Sequence, residues 1–323
     1  MIRGALGEGG ADLSIMIPTY NCAEFLEETL TSLCGQGVDR AQVEVVDDCS
    51  TRDDPEAVVQ RVGAGWVAFH RQAENLGLVG NFNACLSRAE RTWVHILHGD
   101  DSVLPGGYGE LAGLLDRHPS SNVLFGRCVM VDARGVWDDV SPVLGPDLEG
   151  PLPYDPFRWT LNPVQFAGTL FRREAAVAVG GFDDRFVHAA DWDLWWKLAK
   201  RFPTAYTNRC VGAYRRFPAS HTSGLVRSAG NVRESLRLVE QIAAAEPEAG
   251  PGLYGPLFGL TVHQAKCNAD DTAAVLAHIR LMASFPPAVP RTRKITRTVL
   301  TWAKTRVANR RGRPVGERGI ASS

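Results

Sequence analysis

Five near-continuous apolar runs lie in the first 131 residues, and they constrain the fold of this chain more than any other feature. They are LSIMIP (13–18), VEVVD (43–47), WVAFH (66–70), WVHIL (93–97) and NVLFGRCVMV (122–131). Runs without polar alternation predict strands covered on both faces. The intervening segments carry helical spacing: Phe25, Leu26, Leu30 and Leu33; then Phe82, Leu86 and Ala89; then Leu111, Leu114 and Leu115. Asn21 followed by Glu24 predicts a capping pair at the first helix. Strands alternating with helices imply parallel pairing through right-handed crossovers, hence a doubly wound, mostly parallel α/β sheet with helices on both faces. Such sheets bind ligands at the carboxyl ends of their strands. PTYN (18–21), DDCS (47–50) and HGDD (98–101) each follow a strand run, so all three are expected on that one rim.

Beyond residue 131 the pattern changes. Residues 132–160, rich in Pro, Gly and Asp, read as a long loop; VQFAGTLFRR (164–173) returns to strand, and DWDLWWKLAKRF (191–202) is a helix. Residues 228–310 read as helical throughout, broken at EPEAGPG and SFPPAVP.

Charge and cysteine usage narrow the function classes. From Arg291 onward ten Arg/Lys face one acid, Glu317, so this tail carries +9 and the rest of the chain −10 for a total of −1. A mildly acidic body argues against nucleic-acid binding by the main domain. The seven cysteines never form C-x-x-C, which suits reduced thiols in a cytoplasmic protein rather than a disulfide framework or a zinc site. The first residues hold no long apolar stretch, and no run approaches a membrane span, so neither a secretory signal nor a transmembrane helix is expected.

The acidic turns carry the chemistry. Asp100 and Asp101 end a buried strand side by side, and three explanations compete: a turn stabilised by Asp side chains, capping of a helix whose first residue is Pro105 and whose cap is Leu104, or a divalent cation held by hard oxygen ligands. VVDDCS repeats the pattern with Asp47 and Asp48; a carboxylate there can accept from a nucleobase N–H or ribose hydroxyls. Arg71, after the third strand, supplies a cation fit for a base or diphosphate, or else a solvated surface charge. NLGLVGNFNACL (75–86) lacks both the G-x-G-x-x-G spacing and the Walker ending, which removes dinucleotide and P-loop readings.

As a set, SIMIPTYNCAEFLEETLTSL, VEVVDDCST, ENLGLVGNFNACLSRA and HILHGDDSVLPGG resemble the family 2 glycosyltransferases of GT-A fold, across residues 12–225. The resemblance implies a nucleotide-diphosphate sugar donor, a divalent cation (Mn²⁺ or Mg²⁺) and transfer with inversion to an acceptor hydroxyl on a glycan, a lipid-linked sugar or a small molecule. Carried over by position, Pro18, Thr19 and Tyr20 line the nucleotide pocket, Asp48 bonds the base, and Asp100 with Asp101 holds the metal on the diphosphate. His98 stands where the family's motif commonly has its first acid; a ribose contact, metal ligation and a structural role are all open to it.

The same resemblance places the general base at Asp191, with Asp193 in reserve, although Ala190 replaces the acid that often precedes it. A helix N-cap is the competing role for Asp191. Of Trp192, Trp195 and Trp196, one is expected to face the acceptor. In YRRFPASHTSG (214–224), Arg215, Arg216 and His221 are candidates for the diphosphate. The implied organisation is a GT-A domain over 1–225, with a nucleotide-binding half (12–131) and an acceptor half (132–225), then a helical region (226–310) and a disordered tail (311–323). The basic segment from Arg291 reads either as a packed helix with a solvated face or as a peripheral contact with the inner face of an anionic membrane. Two other classes compete: a non-catalytic sugar-nucleotide-binding or scaffold protein on the same fold, and a sugar nucleotidyltransferase, which lacks its glycine-rich first loop here.

Overall fold

The computed structural model describes residues 6–145, 149–217, 224–226, 228–286 and 289. Two compact units emerge: one of residues 1–155 and 162–217, the other of 156–161 and 218–323.

The first unit is built on β1 (Leu13–Thr19), whose seven residues are all buried. It pairs in parallel with β2 (Gln42–Asp47) on one side and β4 (Trp93–Ile96) on the other. The first crossover is α1 (Ala23–Leu33), and α2 (Pro55–Val62) leads on to the edge strand β3 (Ala68–Arg71), parallel to β2. Then α3 (Gly77–Arg88) carries the chain back to the opposite side of β1. Strand order therefore reverses between β1 and β4, and that reversal opens a crevice beyond their carboxyl ends.

The remaining order, after β4, is β9 (Thr169–Arg172), β6 (Val123–Val131), β10 (Thr204–Arg215) and β5 (Ser102–Val103). β9 runs antiparallel to both its neighbours, and β5 runs antiparallel to β10; β6 and β10 are parallel. The core fills the sheet faces with Ile15, Ile17, Leu26, Leu30, Leu114 and Leu124, all buried.

Several expectations need correction. The supposed loop 132–160 contains β7 (Trp137–Val140), antiparallel to the end of β6, and β8 (Gly150–Leu152), antiparallel to β10. The strand expected over 164–173 starts only at Thr169, because Phe166–Gly168 is a 3-10 turn. β10 went unforeseen: its polar and apolar residues do not alternate, and register shifts beside Cys210 break its pairing with β6. The helix after HGDD, α4 (Gly107–Arg117), begins later than Pro105 and its cap position is the left-handed Gly106 rather than Leu104.

The second unit holds helices Gly230–Ala245, Gly255–Cys267 and Thr272–Ser284, with a 3-10 segment, Pro247–Tyr254, where EPEAGPG was expected only to interrupt. Phe258 and Phe285 meet edge to face at 5.2 Å, and buried His278 contacts Gln264 Oε1 at 3.2 Å. Among the described residues no helix is long and apolar enough to cross a membrane. The basic segment from Arg291 lies outside the described residues.

The sheet closes tightly around Gly212, where an added Cβ would lie 2.1 Å from the Ala167 carbonyl oxygen. Gly212→Ala is expected to cost at least about 3 kcal/mol in urea unfolding. Gly109→Ala, in open space on α4, is expected to stay within about 1 kcal/mol and on the stabilising side.

Candidate active site

The crevice is lined first by the turn after β1. Pro18 and Thr19 are buried strand-end residues, and Tyr20 is half exposed at the rim. Asn21 adopts a left-handed φ of 52°, and its Oδ1 accepts from Thr51 N and Arg52 N at 2.9 Å each. Asn21 is therefore not the helix cap. Cys22 holds that position without a capping side chain, and Asp53 Oδ2 accepts from Ala23 N at 2.8 Å instead.

The two acids after β2 divide their work. Asp47 is fully buried, accepts from Ser50, and pairs with Arg71 Nε at 2.7 Å. Arg71 thus already has an acid partner on the neighbouring strand. Asp48 donates its N–H to Thr19 O at 2.8 Å, and its Oδ1 accepts from Leu76 N at 2.7 Å. Burial raises its pKa against the opposing pull of the Leu76 and Gly77 N–H groups.

The acidic turn sits beside the same strand end. Leu97 N donates to Met16 O at 3.0 Å and Gly99 N to Pro18 O at 3.2 Å, so the chain follows β1 beyond β4. A Cβ on residue 99 would lie 2.9 Å from Thr19 Oγ1, which is why a glycine fits there. Asp101 N donates to His98 O at 3.0 Å, closing the turn, and Thr29 Oγ1 donates to Asp101 O at 2.8 Å. Burial raises the pKa of Asp100, and it raises that of Asp101 further, with the neighbouring Asp100 charge adding to the effect.

Arg215, almost completely buried, organises this turn. Its N–H donates to Asp101 Oδ1 and its Nε to Asp100 O, both at 2.9 Å. Nη1 donates to Asp132 O at 2.9 Å and Nη2 pairs with Glu28 Oε2 at 2.6 Å, while the guanidinium lies 4.8 Å from the Phe25 ring centroid. Each of its three guanidinium nitrogens is engaged within the protein. Arg216 points elsewhere, pairing with Asp138 at 2.8 Å on a half-exposed surface. His221 lies outside the described residues.

One nitrogen of His98 and one carboxylate oxygen each of Asp100 and Asp101 lie within 4.8 Å of one another, the span of a cation's first coordination shell. Asp101 Oδ2 is buried with no hydrogen-bond partner, as is His98 Nε2. A bound cation would satisfy such atoms, so these residues fit a divalent ion. Burial pushes the His98 pKa down to about 4, leaving its ring neutral at neutral pH.

After the short α5 (Arg173–Ala178), Asp191 lies in the first turn of α6 (Ala190–Arg201), past the cap position, which Ala189 occupies. Asn162 Nδ2 donates to its Oδ2 at 2.8 Å and Trp192 N to its Oδ1 at 2.7 Å; burial lifts its pKa to about 6. Asp193 is fully buried and paired with Lys197 Nζ at 2.5 Å. All three tryptophans of α6 are buried, so none of them faces an acceptor as expected. Helical geometry turns each one inward: Trp195 packs edge-on against Phe166 and Phe171, and Trp196 Nε1 donates to Tyr154 at 3.0 Å.

Phe166 joins the two acidic regions. Its ring is 4.7 Å from that of His98 and 5.4 Å from that of Trp195, one helical turn beyond Asp191. Its carbonyl accepts from His95 Nε2 at 3.0 Å, which leaves Nδ1 to accept from Tyr108 at 2.7 Å. This neutral tautomer follows because a carbonyl can only accept, and burial holds the His95 pKa near about 4. Nothing in the sequence marks Asn162, which falls between the expected loop and the next strand run, nor Phe166 and His95, which read as ordinary members of strand runs.

Comparisons with known proteins bear on the family and the fold. A family model described as Glycosyl transferase family 2 matches residues 14–180. An uncharacterized protein of Mycobacterium tuberculosis is 26% identical over 245 residues, covering 70% of this chain and 74% of its own. The poly(ribitol-phosphate) β-N-acetylglucosaminyltransferase TarS of Staphylococcus aureus is 27% identical over 164 residues, half of this chain but only 28% of that enzyme. Among solved structures, S. aureus TarS 1–349 in complex with UDP-GlcNAc superposes with a TM-score of 0.64 at 19% identity, covering 94% of this chain and 93% of that one. The mannosyltransferase PcManGT from Pyrobaculum calidifontis, in complex with GDP-Man and Mn²⁺, gives 0.51 at 18% identity, covering 94% and 88%. At these identities the likeness is one of fold, the GT-A type with its curled central sheet.

Arg215→Met would retain the apolar stem over Phe25 and the backbone N–H on Asp101, while leaving Glu28 and the carbonyls of Asp100 and Asp132 without their donor. It is expected to cost at least about 3 kcal/mol in urea unfolding, more than truncation of the exposed Arg216.

Proposed function

The chain belongs to glycosyl transferase family 2, and on that premise we propose that it moves a sugar, with inversion, from a nucleotide-diphosphate donor to an acceptor hydroxyl. The acceptor class is a glycan, a lipid-linked sugar or a small molecule. The observation that carries this reading is the clustering of Asp48, Asp100 and Asp101 around the end of β1, with Asp191 linked to them through Trp195 and Phe166.

The residue roles follow from this arrangement. Pro18, Thr19 and Tyr20 form the wall of the nucleotide pocket, and Asp48 accepts from the base. Arg71, already bound to Asp47, orients the β2 edge and presents its exposed side to the nucleotide. Asp100 and Asp101 hold the divalent cation, which when bound would offset charge on the leaving diphosphate. Asp191 takes the proton of the attacking hydroxyl, and Asn162 fixes the orientation of its carboxylate. Asp193, committed to Lys197, keeps α6 in register instead. The UDP-GlcNAc bound to TarS and the GDP-Man bound to PcManGT support a nucleoside-diphosphate sugar as donor class.

A raised carboxyl pKa makes Asp191 a stronger base than a solvated aspartate, at the cost of losing it in mild acid. Donor turnover, measured as nucleoside diphosphate release, is expected to fall as pH drops through about 6. Asn162→Ala removes a hydrogen bond that favours the charged form, so the acid limb is expected to move to higher pH. Asp191→Asn should lower turnover by about 10²–10⁴-fold while leaving nucleotide affinity unchanged. Calorimetry with uridine, thymidine and guanosine diphosphates, each with and without Mn²⁺, tests the metal role. At least one nucleotide is expected to bind more tightly with Mn²⁺, and Asp100→Asn is expected to abolish that gain. Metal-indifferent binding of all three would refute the assignment of Asp100.

A further inference from the structure

We propose that His98 is a direct protein ligand of the cation at Asp100 and Asp101, making the site a mixed nitrogen–oxygen centre that prefers Mn²⁺ to Mg²⁺. The inference rests on the reading that those two aspartates hold a cation, and adds to it the donor set and the resulting selectivity.

The geometry supplies three observations. The turn closed by Asp101 N on His98 O brings these two residues together, and a His98 nitrogen joins the two carboxylates within 4.8 Å. Asp101 Oδ2, on a residue only 2% exposed, has no hydrogen-bond partner, although Oδ1 of the same carboxylate is engaged by Arg215 N. The His98 ring is fixed between Phe82, nearly parallel at 25° and 5.2 Å, and Phe166 at 4.7 Å. Aromatic walls hold an imidazole in place yet offer its Nε2 no acceptor or donor, and that atom is buried unpaired. A histidine kept only for packing would bury a polar atom at a cost that an apolar ring avoids. A cation pays that cost through the pair of electrons on the ring.

Donor chemistry then sets the preference. Mg²⁺ demands a near-ideal octahedral oxygen shell and sheds water reluctantly, whereas Mn²⁺, which also favours oxygen donors, takes a single imidazole nitrogen among them more readily than Mg²⁺ does. A clamped ring limits how far the site can adjust toward the small, regular shell that Mg²⁺ requires.

The test uses the full chain with Mn²⁺ alone and with Mn²⁺ plus uridine diphosphate. Pulsed electron paramagnetic resonance should show ¹⁴N modulation from a directly coordinated imidazole, and His98→Asp should eliminate it while retaining bound Mn²⁺. Loss of a residue supporting a ligand already weakens metal binding about 10–100-fold. Calorimetry on His98→Asp is therefore expected to reduce the Mn²⁺-over-Mg²⁺ affinity ratio by at least about tenfold. Bound Mn²⁺ without ¹⁴N modulation in the wild type would overturn the role of His98 and leave the aspartates' role standing, provided Asp100→Asn abolishes binding. Modulation that persists in His98→Asp would assign the nitrogen to another residue. Absence of bound Mn²⁺ under both conditions would overturn the aspartate reading and this inference together.

Discussion

Two adjacent carboxylates at the end of a buried strand must be compensated, and Arg215 is the largest part of what the protein itself supplies. Burial alone drives Asp100 and Asp101 toward their neutral forms. A single guanidinium and its backbone N–H bind the turn at Asp100 O and Asp101 Oδ1, and also reach Glu28 and Asp132. The turn is thereby pinned between α1, the β6–β7 connection and the end of β10. One carboxylate oxygen, Asp101 Oδ2, is still without a hydrogen-bond partner, so the compensation by the protein is incomplete.

The same division between satisfied and unsatisfied acids recurs across the site. Asp47 has Arg71 and Ser50, and Asp193 has Lys197; both are consumed in holding the scaffold. Asp48 and Asp191 receive hydrogen bonds only from neutral N–H groups, mostly of the backbone, and both have raised pKa values. In the Asp47–Asp48 and Asp191–Asp193 pairs one member is held by a cationic side chain and the other receives hydrogen bonds from neutral groups. Phe166 gives this arrangement its spacing: its ring separates His98 from Trp195, and its carbonyl is fixed by the buried His95–Tyr108 pair.

The parallel half of the sheet was legible because β1, β2 and β4 are buried on both faces, which writes their position directly into uninterrupted apolar runs. The three polar turns on their carboxyl ends were legible for the same reason. β10 was not, since its bulges and its short antiparallel partners break any period, and it is this strand that delivers Arg215. Asn21 illustrates a local signal overridden: its side chain suits a helix cap, yet it bonds two N–H groups in a loop thirty residues away.

By itself, then, the amino-acid order determined the strand–helix alternation, the rim on which the acidic turns lie and the family to which they belong, because burial and periodicity act over short stretches of chain. Tertiary structure decided the compensation of the acids other than Asp193. That compensation depends on Arg71, Arg215 and Asn162, each brought to its acidic partner by packing, whereas Lys197 meets Asp193 through the i,i+4 spacing of one helix. Electrostatic compensation is a matter of distance in space, and only the folded sheet sets those distances.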